Sequence, residues 1–212
     1  WKANILGVMR QVRYSQSSEK AIDVVLFVNG IPVATLELKN TLTGQTYADA
    51  QKQYRKDRSP AGEPLLSFRK GALVHFALDQ DLVTMTTELR NGATRFLPFN
   101  RGRDGGAGNP EVEGDFPIAY LYRDLDGERA VFSREVLLDI LQHFCLVQEQ
   151  ETPNGKRKRV MIWPRFQQLD AVRKVVADAQ AHGAGRNYLF QHSAGSGKSN
   201  TIAWTAHQLA KL

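Results

Sequence analysis

Short runs rich in β-branched and aromatic residues dominate the first hundred positions. Asn4–Tyr14, Ala21–Val28 and Ile31–Lys39 read as strands, and Asn29-Gly30 supplies the turn chemistry of a hairpin between the last two. Thr46–Arg58 lacks Pro and Gly and carries alanines and glutamines, which predicts a helix ended by Ser59-Pro60 and Gly62. Ala72–Leu78 and Leu82–Glu88, split by Asp79-Gln80-Asp81, and Thr94–Phe99 after Asn91-Gly92 predict a meander that continues the sheet. Asn100–Pro117 is dense in Gly and Pro with few large apolar residues and is predicted to be a long ordered or functional loop, not a sheet element, to which no chemistry is assigned. Ser133 caps an apolar-periodic helix over Val136–Cys145, and TPNGKRKRV at 152–160 reads as a basic turn or hairpin at a domain junction. A helix over Arg165–Ala181, a strand over Asn187–His192 and a helix over Gly197–Leu212 follow, the opening pattern of a parallel α/β unit. Neither end reads as a natural terminus, so the chain is expected to be a fragment.

Composition narrows the class. With 42% apolar and 24% charged residues over 212 positions, the chain buries a real core as one large domain or two small ones. A formal charge of +6 favours a polyanionic partner. The single cysteine, Cys145, excludes a disulfide framework and a thiolate metal cage. No run approaches a membrane span or a leader peptide, so a cytoplasmic protein is expected.

Candidate chemistry begins in the hairpin. Asp23, Glu37 and Lys39 place two carboxylates and one ammonium on adjacent strands, the minimum set for metal-assisted phosphodiester hydrolysis. Two carboxylates can hold Mg²⁺, the carbonyl of Leu38 can add a ligand, and Lys39 can orient the attacking water and offset charge at phosphorus. Glu37 and Lys39 share a face because they are two apart. A regular two-residue hairpin, however, sets Val28 opposite Ile31 and therefore Asp23 opposite Leu36, pointing away from Glu37. A shared site thus requires a longer turn or a bulge, and Pro32, which cannot donate to a ladder, makes room for one. On the pattern alone, three ordinary surface charges are an equal reading. In the following helix Gln51 and Tyr54 are neighbours, placed to bond a DNA backbone or brace Lys39. Between Lys52 and Lys70 six basic residues face two acidic ones.

A second site is written in NYLFQHSAGSGKSNTIAW. An apolar run, a glycine loop and a helix start converge backbone amides on an anion. Gly195, Ser196 and Gly197 form the cradle, Lys198 reaches the outer phosphates, and the Ser199 hydroxyl ligates Mg²⁺. The strict pattern has glycine where this chain has His192. Upstream, in PRFQQLDAVRKVV, the Gln168 amide suits an adenine edge, with Arg165 as helper.

The stretch AIDVVLFVNGIPVATLELKN followed by QKQYRKDR resembles the nuclease domain of the DNA-cleaving and translocating subunit of type I restriction enzymes, within the PD-(D/E)XK superfamily. The resemblance implies that Asp23 and Glu37 bind the divalent metal, that Lys39 is the catalytic lysine, and that Gln51 or Gln53 with Tyr54 serves a Q-x-x-x-Y motif. The spacing here departs from it, since position 50 is Ala50. The glycine loop resembles motif I of superfamily 2 helicases, which relax the position held by His192. The implied fold is α/β: a mixed-sheet nuclease domain over 1–148, then the beginning of a RecA-like motor over 149–212. The implied activity is Mg²⁺-dependent cleavage of double-stranded DNA coupled to ATP-driven translocation, with methyltransferase and specificity subunits as partners. The fragment itself is not expected to be a competent ATPase, because no further motor motifs follow the loop. Alternatives are a repair or recombination nuclease-helicase, and a DNA- or nucleotide-binding scaffold with a degenerate nuclease site.

Overall fold

The computed structural model describes residues 2–152, 154–193 and 195–212. Trp1, Pro153 in the 152–160 hairpin and Ala194 in the glycine loop lie outside the described residues. Strands β1 (Leu6–Arg13), β2 (Ala21–Val28) and β3 (Ile31–Leu38) form an antiparallel ribbon, helix α1 (Tyr47–Lys56) crosses over, and β4 (Val74–Leu78) returns parallel to β3. Strands β5 (Val83–Thr86) and β6 (Leu97–Pro98) continue antiparallel, giving a six-stranded mixed sheet in the order β1-β2-β3-β4-β5-β6. The expected meander is β4-β5-β6, and the helix before it joins it to β3 by a parallel crossover.

Both faces of the sheet are covered. Alternation sends Ala34, Leu36, Phe76, Leu78, Val83 and Met85 to one face, where they pack against Phe99, Tyr120, Ile140, Phe144 and Trp163. The other face carries Val25 and Ala77 under α1, whose Ala50 and Tyr54 are fully buried. The first turn of α1 is pinned by buried Asp79, which accepts from the Tyr47 amide at 2.8 Å and from the amides of Asp81 and Leu82. Gln80 also accepts from Thr41, so the turn between β4 and β5 fixes the entry to α1.

The glycine-rich loop is ordered, as expected. Asn109 bridges it to the sheet, donating to Asp81 O at 2.8 Å and accepting from the Arg101 amide. The predicted 136–145 helix splits into α2 (Arg134–Asp139) and a π-helical turn, Ile140–Phe144, and Cys145 packs at the edge of the core. Strands β7 (Leu146–Glu151) and β8 (Arg157–Ile162) make a separate antiparallel hairpin. Three of its basic residues are paired: Arg157 and Arg159 with Glu149 across the ladder, and Lys158 with Glu88 of the main sheet. Helices α3 (Phe166–His182) and α4 (Lys198–Leu209) follow.

One finding differs from the sequence reading. Asn187–His192 is not a strand, because no neighbouring strand pairs with it among the described residues and Leu189 is 91% exposed. A strand needs a ladder partner as well as β-forming residues, and composition reports only the latter. One apolar cluster also runs across position 149: Trp163 stacks edge-on against Phe76 at 6.3 Å, and Phe166 against Phe99 at 6.0 Å. No helix among the described residues is long and apolar enough to cross a membrane.

A shared core predicts shared cooperativity. Trp163→Ala is expected to lower the stability of the sheet itself by about 3–5 kcal/mol in urea unfolding. A separate early transition that leaves the sheet's transition in place would contradict a common core.

Candidate active site

The hairpin keeps its tight turn and still brings the acids together. Asn29 and Gly30 have φ of 53° and 80°, the two left-handed positions of a type I′ turn, and Val28 faces Ile31 as that turn requires. Phe27 then faces Pro32, but Leu26 faces Ala34, so Val33 is an extra, buried residue in β3. This β-bulge shifts every later pair by one. Val24 faces Leu36, and continuing the register by one pair sets Asp23 opposite Glu37. The Leu38 amide, one residue on, donates to Asp23 Oδ2 at 2.8 Å. Gln11, opposite Asp23 on β1, donates to Oδ1 at 3.2 Å. Lys39 follows Glu37 on the same face by alternation, and its amide is held by Leu78 O at 2.9 Å.

Glu37 has no exposed surface. Its Oε1 accepts from Arg58 Nε at 2.6 Å, while Oε2 is buried without a hydrogen-bond partner. Burial pushes the carboxyl up to about 7; Arg58 opposes that rise, and Asp23 adds to it. The guanidinium is on the Oε1 side, so Oε2 is left without a charge partner in the chain. Among the described residues no group of three or more His, Cys, Asp or Glu side chains could hold a metal; the carboxylates brought together here are the two of Asp23 and Glu37. Glu19, which pairs with Arg13 at 2.6 Å on the surface, is not brought to the site.

Helix α1 places its residues differently from a surface reader. Tyr54 is wholly buried, and its hydroxyl lies 2.7 Å from Thr35 Oγ1, which lies 2.7 Å from His75 Nδ1. The distances fit a relay in which Tyr54 donates to Thr35 and Thr35 donates to Nδ1 of neutral His75. Gln51 donates to Thr84 Oγ1 at 2.9 Å, two strands from Glu37, and accepts from Arg55. Among the described residues these hydrogen bonds of Gln51 and Tyr54 go to Thr84, Arg55 and Thr35, not to Lys39. Together they dock α1 on the face that carries the acids. Of the six basic residues between 52 and 70, Lys52, Lys56, Arg69 and Lys70 are exposed, whereas Arg55 lies over the Phe96 ring and Arg58 reaches Glu37. Arg58 was invisible as a site residue in the sequence, being one more cation in a basic run. The single available signal is its place just after the helix end, before Ser59-Pro60.

The glycine loop precedes α4 without a paired strand. Gly197 caps the helix at φ 86°, and a Cβ there would meet Gln168 Nε2 at 2.5 Å. Gln168 is buried, donating to Gly197 O at 2.9 Å and accepting from the Arg165 amide at 2.9 Å. Its amide therefore braces the loop instead of facing outward. Lys198 Nζ donates to the carbonyls of His192 and Ser193 at 3.1 and 3.2 Å. Gly195 is left-handed at φ 71°, Ser199 is exposed, and Ser196 is buried with its hydroxyl unpartnered. A cavity of about 160 Å³ separates the loop from β5 and is lined by Arg165, Gln168, Ser196, Gly197 and Trp163, whose indole N–H is also unpartnered.

The network behind the acids makes the protein sensitive to acid. Burial pushes His75 down to about 3 from an ordinary value near 6.5, so the folded chain stays unprotonated where the unfolded chain takes up a proton. The unfolded state then binds more protons, and stability falls as pH drops through this window by up to about 1.4 kcal/mol per unit. Urea unfolding from pH 6 to 5 should therefore show a steeper loss in the parent than in His75→Asn, and equal slopes would contradict a neutral His75.

Residues 1–93 match the family model of the type I restriction enzyme R protein N terminus. They contain β1 to β5, α1 and every residue of the acidic site. Comparison with curated proteins found no match.

Proposed function

We propose, from the match of residues 1–93 to the family model of the type I restriction enzyme R protein N terminus, that this chain carries the DNA-cutting site of such a subunit. The observation that carries the reading is the Val33 bulge, which sets Asp23 opposite Glu37 and leaves Glu37 Oε2 buried and unpartnered. These residues fit a divalent cation. Asp23, Glu37 and the Leu38 carbonyl would hold Mg²⁺, which when bound supplies Lewis-acid stabilisation of the phosphate and a more acidic water.

The chain's own residues do the rest. The Leu38 amide and Gln11 orient Asp23, and the bulge orients Glu37. Lys39, partly exposed at the end of β3, orients the attacking water and offsets charge developing on the phosphate oxygens of double-stranded DNA. Gln51 and Tyr54 act from α1 by holding the helix and sheet in register. Exposed Lys52, Lys56, Arg69 and Lys70 supply sequence-independent attraction for the DNA backbone.

The glycine loop supports a second part of the reading, ATP binding for DNA translocation. Gly195, Ser196, Gly197, Lys198 and Ser199 would surround the phosphates and their Mg²⁺, and the left-handed glycines ahead of α4 suit that use. Arg165 and Gln168 line the adjoining cavity, with Gln168 acting through the loop backbone. Methyltransferase and specificity subunits would select the DNA site.

Plasmid cleavage by the subunit assembled with these partners tests the proposal. With Mg²⁺ and ATP, Asp23→Ala and Lys39→Ala should each lose at least about 100-fold in cleavage rate while ATP hydrolysis persists. Unchanged cleavage in both variants would overturn the acidic hairpin as the cutting site.

A further inference from the structure

We infer that Arg58 is the positioning residue of the acid pair: it holds Glu37 Oε1 so that Oε2 alone is presented beside Asp23 to a divalent cation. This inference rests on the nuclease reading above. A buried carboxylate is free to rotate about its last bond unless one oxygen is held, and a cation site needs one orientation. Arg58 supplies the restraint. Its Nε donates to Glu37 Oε1 at 2.6 Å and its Nη2 to Ala21 O at 2.8 Å, so one planar group joins the start of β2 to the end of β3. The guanidinium carbon lies 5.8 Å from the centre of the Tyr14 ring. The preceding carbonyl, Asp57 O, accepts from Tyr14 OH at 3.3 Å and Lys20 Nζ at 3.1 Å, so the segment that carries Arg58 is itself tied to the β1–β2 connection. The Arg58 side chain is only 7% exposed.

The division of the carboxylate follows. Oε1 is occupied by Arg58, and Oε2, buried and unpartnered, is the oxygen left for a metal. Asp23 is oriented separately by the Leu38 amide and Gln11. A rigid fork can reach two acceptors at fixed angles, whereas the ammonium of lysine is a point donor on a flexible stem. Arg58→Lys therefore keeps the charge and loses the positioning. A merely structural ion pair would be served by either cation, with any loss appearing only in stability.

The test uses the full-length subunit. Mn²⁺ binding without DNA is followed by loss of the free-ion electron paramagnetic resonance signal, and the Mg²⁺ concentration for half-maximal plasmid cleavage is measured in the assembled enzyme. For folded Arg58→Lys, Mn²⁺ affinity should fall about tenfold and half-maximal Mg²⁺ should rise by a similar factor, with cleavage at saturating Mg²⁺ within a few-fold of the parent. Tyr14→Leu removes the ring beneath the guanidinium from a partly exposed position; it should shift both readouts the same way by about threefold, and it decides the matter if Arg58→Lys does not fold. Unchanged metal affinity in the folded variants would overturn the inference and leave a structural ion pair. Tighter binding would also overturn it, since Arg58 would then compete with the cation. A parent subunit that binds no Mn²⁺ and cleaves without Mg²⁺ would overturn the nuclease reading itself, and this inference with it.

Discussion

A single extra residue in β3 governs the site. A strand alternates its side chains strictly, so a regular hairpin closed by Asn29-Gly30 would send Asp23 and Glu37 to opposite faces. The turn chemistry cannot be relaxed without losing the tight hairpin, and the two acids cannot share a cation without being on one face. The bulge at Val33 satisfies both constraints by placing the irregularity between turn and acids. Pro32, which would leave a gap in any ladder, sits next to it.

Burial then sharpens the chemistry. Glu37 lies under α1 in a face that also holds Tyr54, Thr35 and His75, which are linked by hydrogen bonds, while Glu37 Oε2 is buried without a partner. The Tyr54–Thr35–His75 chain is neutral, so it docks the helix without adding charge to the site. The charge that is present is arranged as two acids, one buried guanidinium on the far oxygen and one lysine toward solvent. The same sheet continues on its other face into a core shared with Trp163, Phe166 and Trp204, which brings the glycine loop to the neighbourhood of β5.

Much of this was legible in the sequence, to different depths. Strands around Asn29-Gly30 and the helix over α1 follow from local turn chemistry and propensity, which act within a few residues. The need for an irregularity near Pro32 also followed, since it is a matter of parity; which residue bulges depends on packing in β3 and did not. Gln51 and Tyr54 were found as a pair, but their direction was not, because helical spacing does not say which face meets the sheet. Arg58 was missed because its role depends on contacts 21 residues away at Glu37 and 37 residues away at Ala21. Asn187–His192 failed as a strand for the complementary reason: strand composition without a pairing partner is insufficient.

The central claim is that Asp23 and Glu37 form one cation site. Calorimetric titration of the full-length subunit with Mn²⁺ tests it directly, comparing the parent with Asp23→Asn and Glu37→Gln, each of which keeps the shape and removes one charge. If the acids act together, either substitution alone abolishes one and the same binding event, and the double variant is no weaker than the singles. Independent, additive losses, or binding that survives either change, would contradict a shared site.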